Sequence, residues 1–422
     1  MNQEKKIFLN NFLQLAFLKG VSHLLPLVVT PLLVKSIGLE LFGSLEFAKA
    51  ISFYFTAFVG YGFKFSATKE ISLYPTDKVH IGKVISSIYT IKVVIIVICW
   101  FIMHLLIYCI PEIAAHQTFL LGFFPVVIGS SLFPTFVFQG INKMHWLTQL
   151  NLGSKLIFLS LIYMLIRMPS DAILFPYLLA LVDFLRLGIA LFLLYGKLGI
   201  KLVWPDLILI RQQLQEGMHF FLSQLVFMFY SRFPAIFIGF SNGTTMVAIY
   251  NLGEKLIKTT NVMLEPFMQA LYPIVYKKIK ENLTIGVACL KSYGKITLFI
   301  LGLIGIGYVI FSQYFIYWLT GEKNLTDANF VLKLHAFLPA ITFFNNLLGF
   351  GVLIPLRAGK KYTLVMLITS LICIGLHSWL VPIFNIKGAA WAILSSEIFA
   401  SFLIFMFAFQ TLDARKKMQP SY

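Results

Sequence analysis

An all-α protein that crosses a lipid bilayer about twelve times is what this sequence predicts, and three observations predict it. Hydrophobic residues make up 59% of the chain and charged residues only 12%, against about 25% charged in a soluble protein. The apolar residues gather into stretches near the ~20 residues that carry a helix across a bilayer core. Basic residues gather in alternate connections between those stretches, the pattern that marks cytoplasmic loops. No water-facing surface is made from such a composition, so the soluble classes are excluded.

In chain order the spans fall at about 10–37, 42–63, 85–110, 119–139, 149–167, 173–195, 219–240, 247–270, 293–319, 331–355, 362–382 and 388–410. The first carries Lys19, Pro26 and Pro31. It is too long for a signal-peptide core and lacks a small-residue cleavage pattern, so it is expected to be retained. The second, after a very short turn, carries Glu46 and Lys49; the third, Ile- and Val-rich, carries Lys92; the fifth carries Lys155; the sixth carries Asp183 and Arg186. The segment Lys197 to Gly217, with Trp204-Pro205 and the run Leu207 to Leu214, reads as a linker containing a short amphipathic helix on the membrane face. The seventh span carries Arg232 and Pro234, the eighth Glu254, Lys255, Lys258 and Glu265, and the twelfth Glu397.

Three domains follow: a six-helix bundle over 1–196, the linker 197–217, and a second six-helix bundle over 218–422. Six is an even number, so two related halves would share one orientation. Prolines mark the first span of each half, Pro26 and Pro31 in one and Pro234 in the other, as candidate hinges. With the N-terminus cytoplasmic, only Arg167, Lys323 and Lys387 lie in outside loops. The inside segments hold the large majority, which places both termini in the cytoplasm. That bias accounts for most of the +17 net charge, so nucleic acid is not implied as a partner. The cysteines, Cys99, Cys109, Cys289 and Cys373, have no CxxC spacing and suggest neither disulfides nor a metal site.

Ten basic residues remain in or at the ends of the spans: Lys19, Lys35, Lys49, Lys92, Lys155, Arg186, Arg232, Lys255, Lys258 and Lys333. Five acids accompany them: Glu46, Asp183, Glu254, Glu265 and Glu397. A charge at mid-bilayer costs at least about 2.5 kcal/mol on insertion scales, so such residues face a bundle interior or an aqueous cavity. Glu46 with Lys49 and Asp183 with Arg186 are spaced three apart and neutralise one another on a helix face. Lys92 and Lys155 stand close enough to the inner boundary to snorkel, and Lys35 and Lys333 read as interface anchors near the outer one. Arg232 has no acid within helical reach, and its planar donor fork suits phosphate. The candidate lumenal cations are therefore Arg232, Lys19, Lys49, Lys92, Lys155, Lys255 and Lys258. The candidate ion-coupling acids are Glu254, Glu46 and Glu397. An interior with more cations than acids suits an anionic cargo.

No Gly-rich phosphate loop occurs, and the longest outside loop, Thr320 to Asn329, leaves no room for a catalytic domain. Secondary transport without a cofactor, rather than an enzyme, is the class that remains.

Three stretches carry a resemblance. They are Phe42-Gly43 through Tyr61-Gly62-Phe63 to Thr68-Lys69-Glu70; FQGINKM over Phe138 to Met144, leading to Lys155; and YNLGEK over Tyr250 to Lys255, followed by QALYP over Gln269 to Pro273. The ordered set resembles the O-antigen flippases called Wzx, in the polysaccharide arm of the multidrug/oligosaccharidyl-lipid/polysaccharide (MOP) exporter superfamily. The resemblance implies a MATE-like fold of two six-helix bundles. It also implies transfer of an undecaprenyl-diphosphate-linked oligosaccharide to the outer leaflet of a bacterial inner membrane. A coupling ion, H+ or Na+, membrane lipids and the polysaccharide polymerase machinery are the partners it suggests. Gly60 stands where that family commonly has an acid, Lys69 where it has Arg, and Asn142 where it has an acid, which puts ion coupling through position 60 in doubt. A cation-coupled multidrug extruder of the same superfamily and a non-catalytic scaffold for glycan assembly are the alternatives; the basic interior argues against the first and the number of buried charges against the second.

Overall fold

The computed structural model describes the backbone of residues 3–201 and 203–418, and side chains from Leu24 to Arg415 except at 219, 223, 226, 227, 229, 230 and 202. The described residues are almost wholly helical and contain no strand. The helices are α1 (Gln3–Gly60), α2 (Phe63–Leu73), α3 (Lys78–Cys109), α4 (Pro111–Ala114), α5 (Gln117–Leu132), α6 (Thr135–Gly140) and α7 (Met144–Leu165). They continue as α8 (Leu174–Phe192), α9 (Leu207–Asn242), α10 (Thr244–Glu281), α11 (Leu283–Thr320), α12 (Thr326–His335), α13 (Leu338–Leu348) and α14 (Gly359–Met418). Eight helical segments among the described residues are long and apolar enough to cross a membrane. Two of them, Leu24–Leu73 and Gly359–Arg415, run 50 and 57 residues, longer than one crossing of a ~30 Å core needs at 1.5 Å per residue. α9 and α10, at 36 and 38 residues, are also of spanning length.

The turn expected after the first span is a single residue. Helical angles in α1 break at Gly38 (φ 81, ψ 168), a region open to glycine and costly for other residues. The helix continues through Pro26 and Pro31. Gly243, between α9 and α10, has nearly the same angles (φ 83, ψ 166). In α14 the break falls at Asn385 (φ 52, ψ −134), held by a side-chain hydrogen bond from Asn242 to its Oδ1.

The amphipathic helix expected after Trp204-Pro205 is not separate. It begins where Asp206 accepts from the N–H of Ile208 at 2.9 Å and runs on as α9 to Asn242. Between Leu214 and the seventh span no proline interrupts it, and Gly217 is used for packing: a Cβ there would stand 2.9 Å from the Tyr61 carbonyl.

The described residues form two compact units, Leu32–Phe240 and, separately, the residues up to Pro31 with those from Ser241 onward. The core of the Leu32–Phe240 unit joins Phe63, Ala67 and Ile71 of α2, Ile81 to Ile91 of α3 and Phe136 to Phe138 of α6. The core of the other unit joins Leu271 and Val275 of α10, Leu290 and Leu301 of α11, Phe343 and Leu347 of α13, and Ile404 of α14.

Two long helical segments are broken at mid-length. α5 gives way to α6 at Phe133-Pro134, because proline has no N–H to continue the ladder. α12 gives way to α13 at Ala336-Phe337, just ahead of Pro339. Inside a bilayer the backbone groups freed at such breaks must find partners within the protein.

Candidate functional site

Among the described residues, an enclosed group of ionisable side chains lies in the unit that contains α10 to α14. Gly253 makes it possible: a Cβ there would come within 2.7 Å of the Ala328 carbonyl and of the Val331 side chain, so only glycine lets α12 lie this close to α10. That approach brings His335, the last residue of α12, to Glu254. Glu254 is 4% exposed and His335 fully buried. Glu254 Oε1 accepts from the Tyr250 hydroxyl at 2.8 Å and stands 3.4 Å from His335 Nδ1. Glu254 Oε2 pairs with the Lys258 ammonium, whose side chain is 48% exposed. His335 Nε2 lies 2.9 Å from the carbonyl of Ala390 on α14. His335 therefore links three helices: it faces Glu254 of α10 and the carbonyl of α14 from the end of α12. Nearby, Asn345 Nδ2 donates to Glu397 Oε2 at 3.0 Å, so the acid of the last span is met from α13.

The Leu32–Phe240 unit spends its charges differently. Lys92 is buried, and its ammonium donates to the carbonyl of Ser131 while standing over the Phe136 ring at 5.3 Å. Tyr89 donates to the carbonyl of Leu132 at 2.9 Å. These are carbonyls at the end of α5, freed by the break at Pro134, and a cation there also opposes the negative end of the helix dipole. Lys92 does not snorkel. It forms the wall of a cavity of about 210 Å³ with Gly60, Lys64, Ser130, Ser131, Thr135 and Gln224 among its lining. An added Cβ at Gly60 would meet open space.

Arg232, on α9, places its guanidinium carbon over the Phe53 ring, 4.5 Å from the centroid. Glu46 and Lys49 pair at 2.9 Å, as do Asp183 and Arg186, and Arg186 also donates to Asn151 Oδ1 and lies over Phe133 at 4.3 Å. Lys155 is half-buried, close enough to feel the charge of Arg186. Lys255 is half-buried beside Glu254, while Glu265, Lys35 and Lys333 are exposed. The side chain of Lys19 lies outside the described residues. Pro234 is buried within α9, which continues through it.

The resembling motifs are packing and latch positions. Gly140 of FQGINKM sits on Ile71, where a Cβ would come within 2.6 Å, and Asn142 takes a left-handed φ of 56. Thr68 meets Gln139, Lys69 pairs with Glu216 at 3.1 Å, and Glu70 takes His80 at 3.1 Å and Gln212 at 3.3 Å. One face of α2 is thereby tied to α6, α3 and α9. Sequence reasoning found Glu254 and Lys258 but missed His335, which no local spacing connects to residues some eighty positions earlier. A histidine inside an otherwise apolar span was the available signal.

The family model described as "Polysaccharide biosynthesis protein" matches residues 8–278. A candidate O-antigen transporter of Escherichia coli (strain K12) is 27% identical over 410 residues, covering 96% of this chain and 98% of its own length. Among solved structures, an inward-facing multidrug resistance MATE family transporter of the MOP superfamily superposes with a TM-score of 0.77 at 14% identity, covering 94% of this chain and 96% of its own. The lipid II flippase MurJ, in an inward closed conformation, superposes with a TM-score of 0.76 at 14% identity, covering 95% and 89%. Two charged, discontinuous helical units on that shared fold, matched over more than half the chain by one family model, make this a multi-pass membrane protein of the polysaccharide biosynthesis protein family.

Proposed function

We propose that this chain is a flippase that carries an undecaprenyl-diphosphate-linked oligosaccharide, an O-antigen or related repeat unit, from the inner to the outer leaflet of a bacterial inner membrane. Alternating access of two six-helix bundles, 1–196 and 218–422, with both termini cytoplasmic, is the mechanism that goes with it. The observation that carries the proposal is the end-to-end match to a candidate O-antigen transporter. The fold does not separate this reading from drug extrusion, because the MATE transporter and the lipid II flippase superpose about equally well. Charge favours the flippase: interior cations exceed acids, and a diphosphate is the anion such an interior attracts. Arg232 is the proposed contact, since its guanidinium lies over the Phe53 ring and its planar donor fork matches a phosphate.

Deletion of the gene should abolish surface polysaccharide and leave lipid-linked repeat units on the inner leaflet, without changing drug sensitivity beyond general envelope effects. In a complementation assay normalised to membrane protein, Arg232→Ala should fail to export, Arg232→Lys should restore part, and Arg232→Glu should be worst. Normal polysaccharide in the deletion strain, with no second exporter present, would refute the assignment. Full export by the Ala variant would remove Arg232 from it.

A further inference from the structure

We infer that Glu254 and His335 share a single exchangeable proton, and that this proton is the coupling ion of the transporter. The inference rests on the flippase reading for its use and on geometry alone for the site. A backbone carbonyl only accepts, so the bond from His335 to Ala390 fixes the imidazole hydrogen on Nε2. Neutral His335 then turns the lone pair of Nδ1 toward Glu254 Oε1 at 3.4 Å, two acceptors facing each other in a buried place. His335 Nδ1 has no hydrogen-bond partner among the described residues. One proton placed between the two atoms turns that repulsion into a charge-assisted hydrogen bond, whichever atom holds it.

The same neighbours decide which ion is taken. A hard metal cation needs a shell of oxygens. Here Glu254 Oε2 already faces the Lys258 ammonium, and the imidazole offers nitrogen. Na+ would find too few free oxygens here, whereas a proton needs only the two acceptor atoms that face each other. Lys258 is half-exposed, so the otherwise buried carboxylate opens to the surface on that side, where a proton would enter. Tyr250 donates to the carboxylate from the preceding turn of α10. From the first part of α14, His377 lies close enough to feel the charge of Glu254, with its Nδ1 2.7 Å from the Cys373 carbonyl. From the second part, Glu397 bears on Cys373 and is met by Asn345. In the Leu32–Phe240 unit the break is closed instead by Lys92, and Gly60 stands where the resembling family has an acid. The proton ties α10, through His335, to α14; its loss sets Glu254 against His335 and loosens that tie.

The test counts protons on purified full-length protein in lipid nanodiscs, titrated between about pH 8 and 5, where histidine changes charge. His335→Gln keeps a donor for the Ala390 carbonyl and deletes the Nδ1 site; the wild type should take up one proton more per chain. Should that variant misfold, the double variant Glu254→Gln/Lys258→Met removes the pair without stranding a charge and should show the same one-proton deficit. His377→Gln should leave the difference unchanged. In cells, His335→Gln should lose at least tenfold in export at equal membrane abundance and lose the dependence of export on the pH gradient. No deficit in either variant, or a deficit that follows His377→Gln instead, overturns the site while leaving the flippase reading intact. A one-proton deficit with wild-type export by His335→Gln overturns the coupling. Normal export in the deletion strain removes the flippase reading instead, and with it the coupling.

Discussion

Asp77 shows how one side chain sets where a helix begins. Its Oδ1 accepts from the N–H groups of Val79 and His80, both at 2.9 Å, which caps α3. The N–H of His80 holds the carboxyl below the usual carboxylate range. A depressed value in the folded state means that the ionised cap stabilises above the unfolded value, near 3.9, and that this contribution fades as pH falls through the folded value. Asp77→Ala should therefore melt at a lower temperature than wild type at pH 5 and above, with the deficit shrinking below about pH 4. Melting curves in detergent at a series of pH values check this. A deficit that grows in acid would contradict the cap. At the same scale, the ion pairs at Glu46–Lys49, Asp183–Arg186 and Glu254–Lys258 were legible in sequence, because helical spacing alone brings those partners together. The fate of Lys92 was not, since its partner is a carbonyl set free by a break in another helix.

Elements pack according to where glycine lets them. Gly253 admits α12 against α10, and a Cβ there would press on the Ala328 carbonyl, which is backbone and does not swing away. Gly253→Ala should cost about 1–3 kcal/mol from overpacking, more than the ~1 kcal/mol that alanine returns in helix propensity. Gly302 in α11 has nothing within 4 Å of the same atom, so Gly302→Ala should raise stability by about 0.5–1 kcal/mol. Paired thermal melts of the two variants read opposite signs, and a common sign would refute the packing argument. Hydropathy revealed the long helices, but it placed gaps where the chain keeps helical angles on both sides of one residue, at Gly38 and Asn385. The reason is physical: a reversal that uses one left-handed residue leaves no polar loop to interrupt an apolar run. The continuity of Leu207–Leu214 with the rest of α9 was hidden for the opposite reason, because polar residues between them imitate a boundary.

For the molecule as a whole, charge bias predicts an orientation that tagging tests directly. Reporters fused at both termini and inserted near Lys201 should report from the cytoplasm, and cysteines introduced at Asn242 and Asn324 should be labelled from outside. A C-terminus reporting from outside would overturn the twelve-span arrangement. Composition alone made the membrane class legible, and the ordered motifs pointed to the family, whose model matches from residue 8 to 278. What sequence could not give is the meeting of Glu254, His335 and Ala390, which depends on three helices far apart in the chain.

The two mid-length breaks differ in when their partners are made. Lys92 and Tyr89, which close the break after α5, leave the ribosome before Ser131 and Leu132 do, so the first break emerges with its donors already in place. His335 must wait for Ala390, 55 residues downstream. Since translation delivers the chain from its N-terminus, the histidine at the second break stays unoriented until the last helix has been synthesised, and a nascent chain stopped short of α14 would have its histidine but no carbonyl to orient it.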